Sequence, residues 1–249
     1  MQRQLFLFLD GQPIETTCRL HLRGRTEMSL NPTVFRLELH SPSENILGLL
    51  SSAHTLSVTS TFQSLLATGT ILDVFTQSVA GEPITTVLFA DSASLDDAFI
   101  SLSIPAGVTT RAAVTSILTA STHPLPLAAY TAADHILPRP TAFFGSAADA
   151  LQSLADDVKA HIFVFRSAVF MLGREAPDPT CEIPPEDLLD AITTGREEIL
   201  LTTTLKGWPI GTIIRAGDHI GRATCQLIDA DTGEGPWSTK LILRRLAYD

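Results

Sequence analysis

Residues 200–246, LLTTTLKGWPIGTIIRAGDHIGRATCQLIDADTGEGPWSTKLILRRL, decide the fold of the C-terminal part of this chain. Short runs rich in Thr, Ile and Leu alternate with turn residues, as in β-strands joined by tight turns. Gly217-Asp218 and Asp231-Thr232-Gly233 are the clearest turns. The predicted strands are Glu198 to Leu205, Thr212 to Arg215, Arg222 to Ile228 and Lys240 to Arg245. Together they indicate a closed or nearly closed β-barrel.

The first hundred residues show the same kind of pattern. Residues 5–9, LFLFL, are apolar throughout, which is typical of a strand buried on both faces, and Asp10-Gly11 supplies a hairpin turn. From Val34 to His40 apolar residues alternate with charged ones, which indicates a half-buried strand. Residues 65–94 continue with strands separated by glycines. This part of the chain is therefore predicted to be β-rich.

The middle of the chain changes to a helical period. Thr109 or Thr110 can cap one short helix, and Ser146 with Asp149 fits the capping box of another. Residues 161–172 return to strand. These elements indicate an α+β module of about 70 residues.

The predicted fold class is mainly β with an α+β insert. We expect a first barrel over 1–104, an α+β module over 105–176, and a second barrel over 177–249 that can recruit strands from the module. The Pro-rich residues 124–140 are predicted to be an extended arm or linker, and Glu186 to Ile192 a short helix.

Composition and charge exclude several classes of protein. Of 249 residues, 45% are hydrophobic and 18% charged, so the chain is not disordered. The formal net charge of -10, with no dense run of Lys and Arg, argues against sequence-specific nucleic-acid binding. The apolar run at the N-terminus is too short for a signal peptide or membrane span, so we expect a cytosolic product without stable membrane insertion.

Candidate catalytic and metal-binding residues lack the necessary patterns. No histidine has HxH, HExxH or HxxxH spacing, and no GxSxG elbow, P-loop or GxGxxG occurs. Asp134-His135 and Asp218-His219 are neighbours whose side chains would point to opposite faces of a strand, so neither predicts a triad. We predict no catalytic residue, no metal site and no cofactor. The histidines are His21, His40, His54, His123, His135, His161 and His219.

The cysteines indicate neither a disulfide framework nor a zinc site. Cys18, Cys181 and Cys225 are odd in number and form no CxxC, so free buried thiols are expected.

Two alternative functions stay open at this point. Trp208 and Trp237 lie beside prolines and could stack on a sugar or a partner peptide. Packing at a barrel mouth or at a subunit interface is the favoured interpretation, because Trp is enriched in such partly hydrated places. A hydrolase would need two carboxylates brought together by the fold. The adjacent acids that could supply them are Asp96-Asp97, Asp156-Asp157 and Glu197-Glu198.

Several phrases of the sequence, in this order, resemble the central baseplate hub proteins of phage tails, tailocins and related contractile injection systems. The resemblance covers nearly the whole chain, and its last phrase, residues 200–246, is similar to the final barrel strands of the family. The earlier phrases are LFLFLDGQPI (5–14), NPTVFRLELHSPSEN (31–45), LLATGTILDVFTQSVAGEPITTVLFADSAS (65–94), SLSIPAGVTTRAAVTSIL (101–118) and FFGSAADALQSLADDVKAHIFVFRSAVFML (143–172).

The resemblance implies a non-enzymatic structural protein with two tube-like β-barrels and a small helix-and-hairpin module. It implies a homotrimer whose six barrels adapt a sixfold tail tube to a threefold spike, around a channel for DNA or cargo. An acidic channel wall would repel a polyanion.

The resemblance also implies partners and a location. The partners are the tail tube or a tube-initiator protein, the spike protein, baseplate wedge proteins and a tape-measure protein as a further candidate. The implied location is the tail baseplate of a virion or an injection-device particle, made in the bacterial host cytoplasm. Because the chain is compact, a fused lytic domain is not expected.

Overall fold

The computed structural model describes residues 3–60, 64–174, 180–195, 197–203 and 205–245. The first elements along the chain are β1 (Leu5–Leu9), β2 (Gln12–Ile14), β3 (Arg19–Glu27), β4 (Val34–His40), α1 (Glu44–Ser52), β5 (Thr55–Ser60), β6 (Leu65–Val79) and β7 (Glu82–Ala90). The middle elements are β8 (Phe99–Ile104), α2 (Thr110–Ala120), β9 (Leu127–Tyr130), β10 (Thr141–Ser146), α3 (Ala147–Asp157), β11 (Ala160–Phe165) and β12 (Ala168–Gly173). The last are β13 (Thr180–Glu182), β14 (Leu188–Thr194), β15 (Glu197–Thr202), β16 (Ile213–Ala216), β17 (His219–Asp231) and β18 (Trp237–Arg245).

Two units share these elements. Unit 1 takes its described residues from 1–27, 33–91 and 179–249, and unit 2 from 28–32 and 92–178. Residues from both ends of the chain therefore belong to one unit. The strand β8, which the sequence analysis grouped with the first barrel, belongs to unit 2 because it pairs with β10.

Unit 1 is built on one large sheet over two hydrophobic cores. In the described residues the strands follow the order β14-β15-β18-β17-β3-β4-β7-β6-β5-β1-β2, and β16 joins β13 to β17. One core lies under the N-terminal strands and includes Leu22, Leu37 and Phe89. The other lies under the C-terminal strands and includes Trp208 and Leu241.

The strand β17 belongs to both cores. Ala223 in its first half packs in the C-terminal core, and Ile228 and Ala230 in its second half pack in the N-terminal core. A bulge between Ala223 and Cys225 separates the halves. Such a bulge bends a strand locally, which allows one strand to cover two cores.

Unit 2 combines two capped helices with short strands. The Thr109 side chain accepts a hydrogen bond from the Ala112 amide at the start of α2, and Ser146 accepts one from Asp149 at the start of α3. Both caps agree with the sequence analysis. The hairpin β11-β12 packs with β9 alongside, and α3 buries Leu151 and Leu154 in the shared core.

Two expectations about local structure were wrong. Residues 185–187 form a single 3-10 turn, and the predicted helix at 186–192 is instead the strand β14. Its Ile192 lies opposite Ile199 of β15, so strand pairing overrides the weak helical pattern. The Pro-rich residues 124–140 are extended but are not a linker, because β9 pairs in parallel with β12 and the Leu137 amide donates to Val108 O.

Candidate assembly interface

Eight consecutive strands of unit 1 form a continuous antiparallel sheet, β14-β15-β18-β17-β3-β4-β7-β6. Four strands come from each end of the chain, and they meet where β17 pairs with β3. In the register of that junction Gln226 lies opposite Thr26 and Asp229 opposite Arg23. One face of this sheet covers the two cores. The other, which we call the polar face because of its charged residues along β3 and β4, carries the alternate side chains, apolar ones such as Leu227 and Ile242 among them.

The strand β6 forms one lateral edge of the eight-stranded sheet. Its first part pairs with β5 as far as Thr70, and its later part, up to Val79, pairs with β7. In the described part of the chain, residues 72–79 therefore have a strand on one side only. Gly69 lies where β6 changes partner, and a Cβ there would lie 2.0 Å from the Ala90 carbonyl oxygen. Only glycine allows the backbones to approach this closely.

The strand β14 forms the opposite edge. It pairs with β15 from Leu188 to Thr194, and the described residues place no strand on its other side. The two edges thus lie at the two ends of the eight-stranded part of the strand order, and β5, β1 and β2 continue the order from the first part of β6.

Both edges expose large apolar side chains. Leu72, Phe75 and Val79 are exposed on β6, and Leu189 and Ile192 on β14; Leu72, Leu189 and Ile192 are each more than half accessible. Neither 72–79 (LDVFTQSV) nor 188–194 (LLDAITT) contains Lys, Arg or Pro. Each edge has one acidic residue, Asp73 or Asp190, beside a bulge, as unpaired edges often do. The exposed apolar side chains on both edges nevertheless favour pairing with another chain.

The two edges run in opposite directions. Every neighbouring pair in the eight-stranded sheet is antiparallel, so the first and eighth strands point in opposite directions. Neither edge was predicted from the sequence to be an interface. The β-branched end of β14, ITT, was the signal that could have shown a strand there.

The polar face of the sheet carries ion pairs along β3 and β4. Arg36 Nη2 lies 2.6 Å from Glu38 Oε1, and Arg19 pairs with Asp231. The guanidinium of Arg19, followed by the Gly233 amide, lowers the pKa of Asp231 to about 2, although burial acts in the opposite direction. The positive charges of these arginines are therefore balanced by the negative charges of their partners on the same face.

The paired acidic and histidine residues considered from the sequence have structural surroundings. The Asp134 carboxylate accepts a hydrogen bond from the Arg111 amide, and the His135 carbonyl accepts one from Thr110, so both close the start of α2. His219 Nδ1 lies 3.2 Å from Glu198 Oε2, a contact with β15 rather than with Asp218. Neither pair forms a triad.

The acid pairs lie on separate elements. Asp96 and Asp97 are exposed ahead of β8, and Asp156 and Asp157 are exposed at the end of α3. In β15, Glu197 is exposed and Glu198 is buried.

Trp208 is not a stacking platform. Its side chain is 2% exposed and packs in the C-terminal core, with Lys206 Nζ 4.5 Å from the ring centroid. Trp237 is half-buried and packs against the N-terminal core. A sugar site that needs both rings exposed is therefore not formed, which weakens the carbohydrate-binding alternative.

The remaining candidate residues are the cysteines and the possible metal ligands. The three cysteines are free, and burial raises the pKa of Cys225. Among the residues that the structure describes, no group of three or more His, Cys, Asp or Glu could hold a metal ion. None of the helices in this part of the chain combines the length and the hydropathy of a membrane-spanning segment.

Comparisons with known proteins give matches at the level of structure. No family model matches the chain, and no curated protein matches it either. A tail protein from Neisseria meningitidis MC58 superposes with a TM-score of 0.67 at 12% identity, over 97% of this chain and 96% of that one. The tail protein of prophage MuSo2 from Shewanella oneidensis gives 0.68 at 11% identity, over 98% and 97%.

A third solved structure links the fold to secretion devices. An E. coli component of the type VI secretion system, described as similar to the bacteriophage T4 tail proteins gp27 and gp5, gives a TM-score of 0.64 at 11% identity, over 96% of this chain and 76% of that one. The mainly β class with an α+β insert is confirmed. The chain has the fold of phage tail and type VI secretion proteins, as the resemblance to baseplate hubs predicted.

Proposed function

We propose that this chain is a structural, non-enzymatic hub subunit of a phage tail baseplate or a related contractile injection device. Three copies form a ring around a channel for DNA or cargo. Each chain supplies two tube-like barrels, one on each core of unit 1. The ring then offers six barrels to a sixfold tail tube and threefold symmetry to a spike.

The observation that carries this proposal is the pair of apolar edges on the eight-stranded sheet. In a cyclic ring, β6 of one copy meets β14 of the next. Because the two edges run in opposite directions, they meet as an antiparallel pair, and the sheet continues from copy to copy. Exposed side chains such as Phe75 and Ile192 would become buried at each junction.

The dimensions of such a ring suit a channel. Three sheets of eight strands make about 24 strands, and at about 4.8 Å per strand the circumference is about 115 Å. The distance across the ring between backbones is then at least about 37 Å, and strand tilt widens it. This leaves room for a nucleic-acid duplex or an extended polypeptide between the side chains.

The tail fold supports the remaining assignments without showing them. The tube or tube-initiator protein would bind one face of the ring and the spike the other, with wedge proteins outside and a tape-measure protein in the channel. The complex would lie in the baseplate of a virion or injection device. The neighbours in structure are tail proteins, which supports a structural role.

The experiment is a test of native mass with edge variants. Light scattering of the purified chain should give a trimer. Lysines at one edge, L72K/F75K in β6 or L189K/I192K in β14, should each give monomers because charged edges resist strand pairing. The control L49K/F144K places the same two charges on α1 and β10, where the wild-type side chains are also exposed, and should stay trimeric.

Mixing the two edge variants tests the head-to-tail geometry. The L72K/F75K chain keeps an intact β14, and the L189K/I192K chain keeps an intact β6, so the mixture should form a one-to-one dimer that cannot grow. A wild-type protein that stays monomeric at high concentration, or edge variants that remain trimers, would refute the ring.

A further inference from the structure

Four arginines lie in a strip on the polar face of the eight-stranded sheet. Arg19, Arg23 and Arg25 alternate along β3, and Arg36 of β4 lies directly opposite Arg23. Their side chains are 43% to 62% exposed. The residue alternation of β3 puts them all on the face away from the cores.

Each of these arginines has a carboxylate partner. Arg25 Nε lies 2.5 Å from Glu27 Oε1, and Arg36 Nη2 lies 2.6 Å from Glu38 Oε1. Arg23 Nε lies 3.5 Å from Asp229 Oδ1, and Arg19 pairs with Asp231. We call these eight residues the paired-arginine strip. Its four positive and four negative charges sum to zero, in a chain whose formal net charge is -10.

This balance differs from the acidic wall that the net charge suggested. A row of unpaired arginines would bind duplex phosphates tightly through counterion release, and an acidic row would repel them. Arg23–Asp229 and Arg25–Glu27 are exposed on both sides, and exposed ion pairs contribute little free energy, so these guanidinium groups can exchange a carboxylate for a passing phosphate at small cost and with small gain. Contacts of this kind are weak and short-lived.

We propose that the paired-arginine strip is a low-affinity sliding surface for duplex DNA. The carboxylates mask the arginines enough to prevent retention of the duplex but leave them accessible for transient phosphate contacts. The inference rests on the proposed function, because only the ring places the strip of each copy on a channel wall.

The test removes the masking carboxylates and keeps the arginines. The variant E27Q/E38Q/D229N removes the negative charge beside Arg25, Arg36 and Arg23, and the amides retain hydrogen-bonding capacity. Arg23 Nε keeps its hydrogen bond to His21 Nε2 at 3.0 Å. Binding of a short DNA duplex, measured by fluorescence anisotropy over a salt series, should be very weak for the wild type. It should tighten by about tenfold or more at low salt in the variant, and the salt slope should steepen by about 0.9 for each additional phosphate that the protein neutralises.

A matched control separates masking from net charge. The variant D96N/D97N/D157N makes the same change in charge at exposed residues of unit 2 and should bind DNA no better than the wild type. Equal affinity of the two triple variants would overturn the proposal, as would tight binding by the wild type.

Single-site variants guard against a folding defect. E27Q frees only Arg25, an exposed residue, and should give a smaller increase in affinity that the double variant E27Q/R25Q abolishes. An increase that survives in E27Q/R25Q would also overturn the proposal. Every chain carries the strip, so the effect of the carboxylates on DNA binding can be measured even if the protein is a monomer. A monomeric wild type would refute the ring alone, and unchanged DNA binding by the triple variant would refute the sliding surface alone.

Discussion

Arg19 and Asp231, 212 positions apart in the sequence, are joined by two side-chain hydrogen bonds across the junction of β3 and β17. Arg19 Nε donates to Asp231 Oδ1 at 2.7 Å, and Nη2 donates to Oδ2. The Gly233 amide donates to the same Oδ1 at 2.8 Å. The carboxylate is 2% exposed, so this pair ties the N-terminal strands to the C-terminal ones at a buried anion.

The pair predicts a loss of stability in acid. The pKa of Asp231 is about 2 in the folded protein, below its ordinary value of 3.8. As the pH falls, the unfolded chain therefore binds a proton at this carboxylate before the folded protein does. The ionised Asp231 therefore makes its full contribution to the free energy of unfolding above about pH 4, and this contribution is lost as the pH falls through about 2. D231N should lower the unfolding free energy by about 1–2 kcal/mol at pH 7, because the half-exposed guanidinium limits the gain.

Urea unfolding of both proteins between pH 2 and pH 7 checks this. The difference between wild type and D231N should shrink towards pH 2. A difference that is constant over this range would show that the ionised carboxylate is not the source of the stability.

Gly69→Ala should destabilise unit 1 severely. The added Cβ would lie 2.0 Å from the Ala90 carbonyl oxygen, a backbone atom that cannot move without breaking the pairing of β6 with β7. We expect a loss of about 3 kcal/mol or more, within the range of overpacking and strain effects. The midpoint of thermal unfolding, compared with that of the wild type, measures this loss of stability.

Gly48→Ala is the matched control for that substitution. Gly48 is exposed in the middle of α1, and a Cβ there meets nothing within 4 Å. Because alanine favours helix over glycine, this variant should gain about 0.5–1 kcal/mol. A similar loss in both variants would contradict the close approach at Gly69.

The two tryptophans should differ in fluorescence. W237F leaves only the buried Trp208, whose emission should be short in wavelength and poorly quenched by acrylamide. W208F leaves the half-buried Trp237, which should be quenched more readily. If Trp208 is the better quenched, it is not in the C-terminal core, and the carbohydrate-binding alternative regains support.

The cap of α3 gives a smaller effect. Ser146 Oγ accepts a hydrogen bond from the Asp149 amide at 3.3 Å, and Ser146→Ala should cost about 1 kcal/mol of unfolding free energy. Ser153→Ala changes an exposed serine inside the same helix and should cost nothing, because alanine is the better helix former. Hydrogen exchange of α3 amides should increase only in the first variant.

Local signals in the sequence predicted the local structure well. The caps at Thr109 and Ser146, the hairpin over residues 160–173 and the strand Val34–His40 depend on neighbours close in sequence. The predicted helix at 186–192 failed because β14 is held by β15 and not by its own propensity. Trp208 was considered as a stacking platform or as a residue packed at a barrel mouth or subunit interface, and the fold buries it in a core.

By itself, the order of alternating apolar residues, turns and caps determined that this chain is mainly β with a helical insert. It also carried the resemblance to tail hubs, because such patterns are local and survive large changes in sequence. Only the tertiary structure decided that β17 pairs with β3, that eight strands join into one sheet, and that β6 and β14 become its open edges. Those relationships join residues some two hundred positions apart, and strand register across that distance depends on which apolar faces can be buried together.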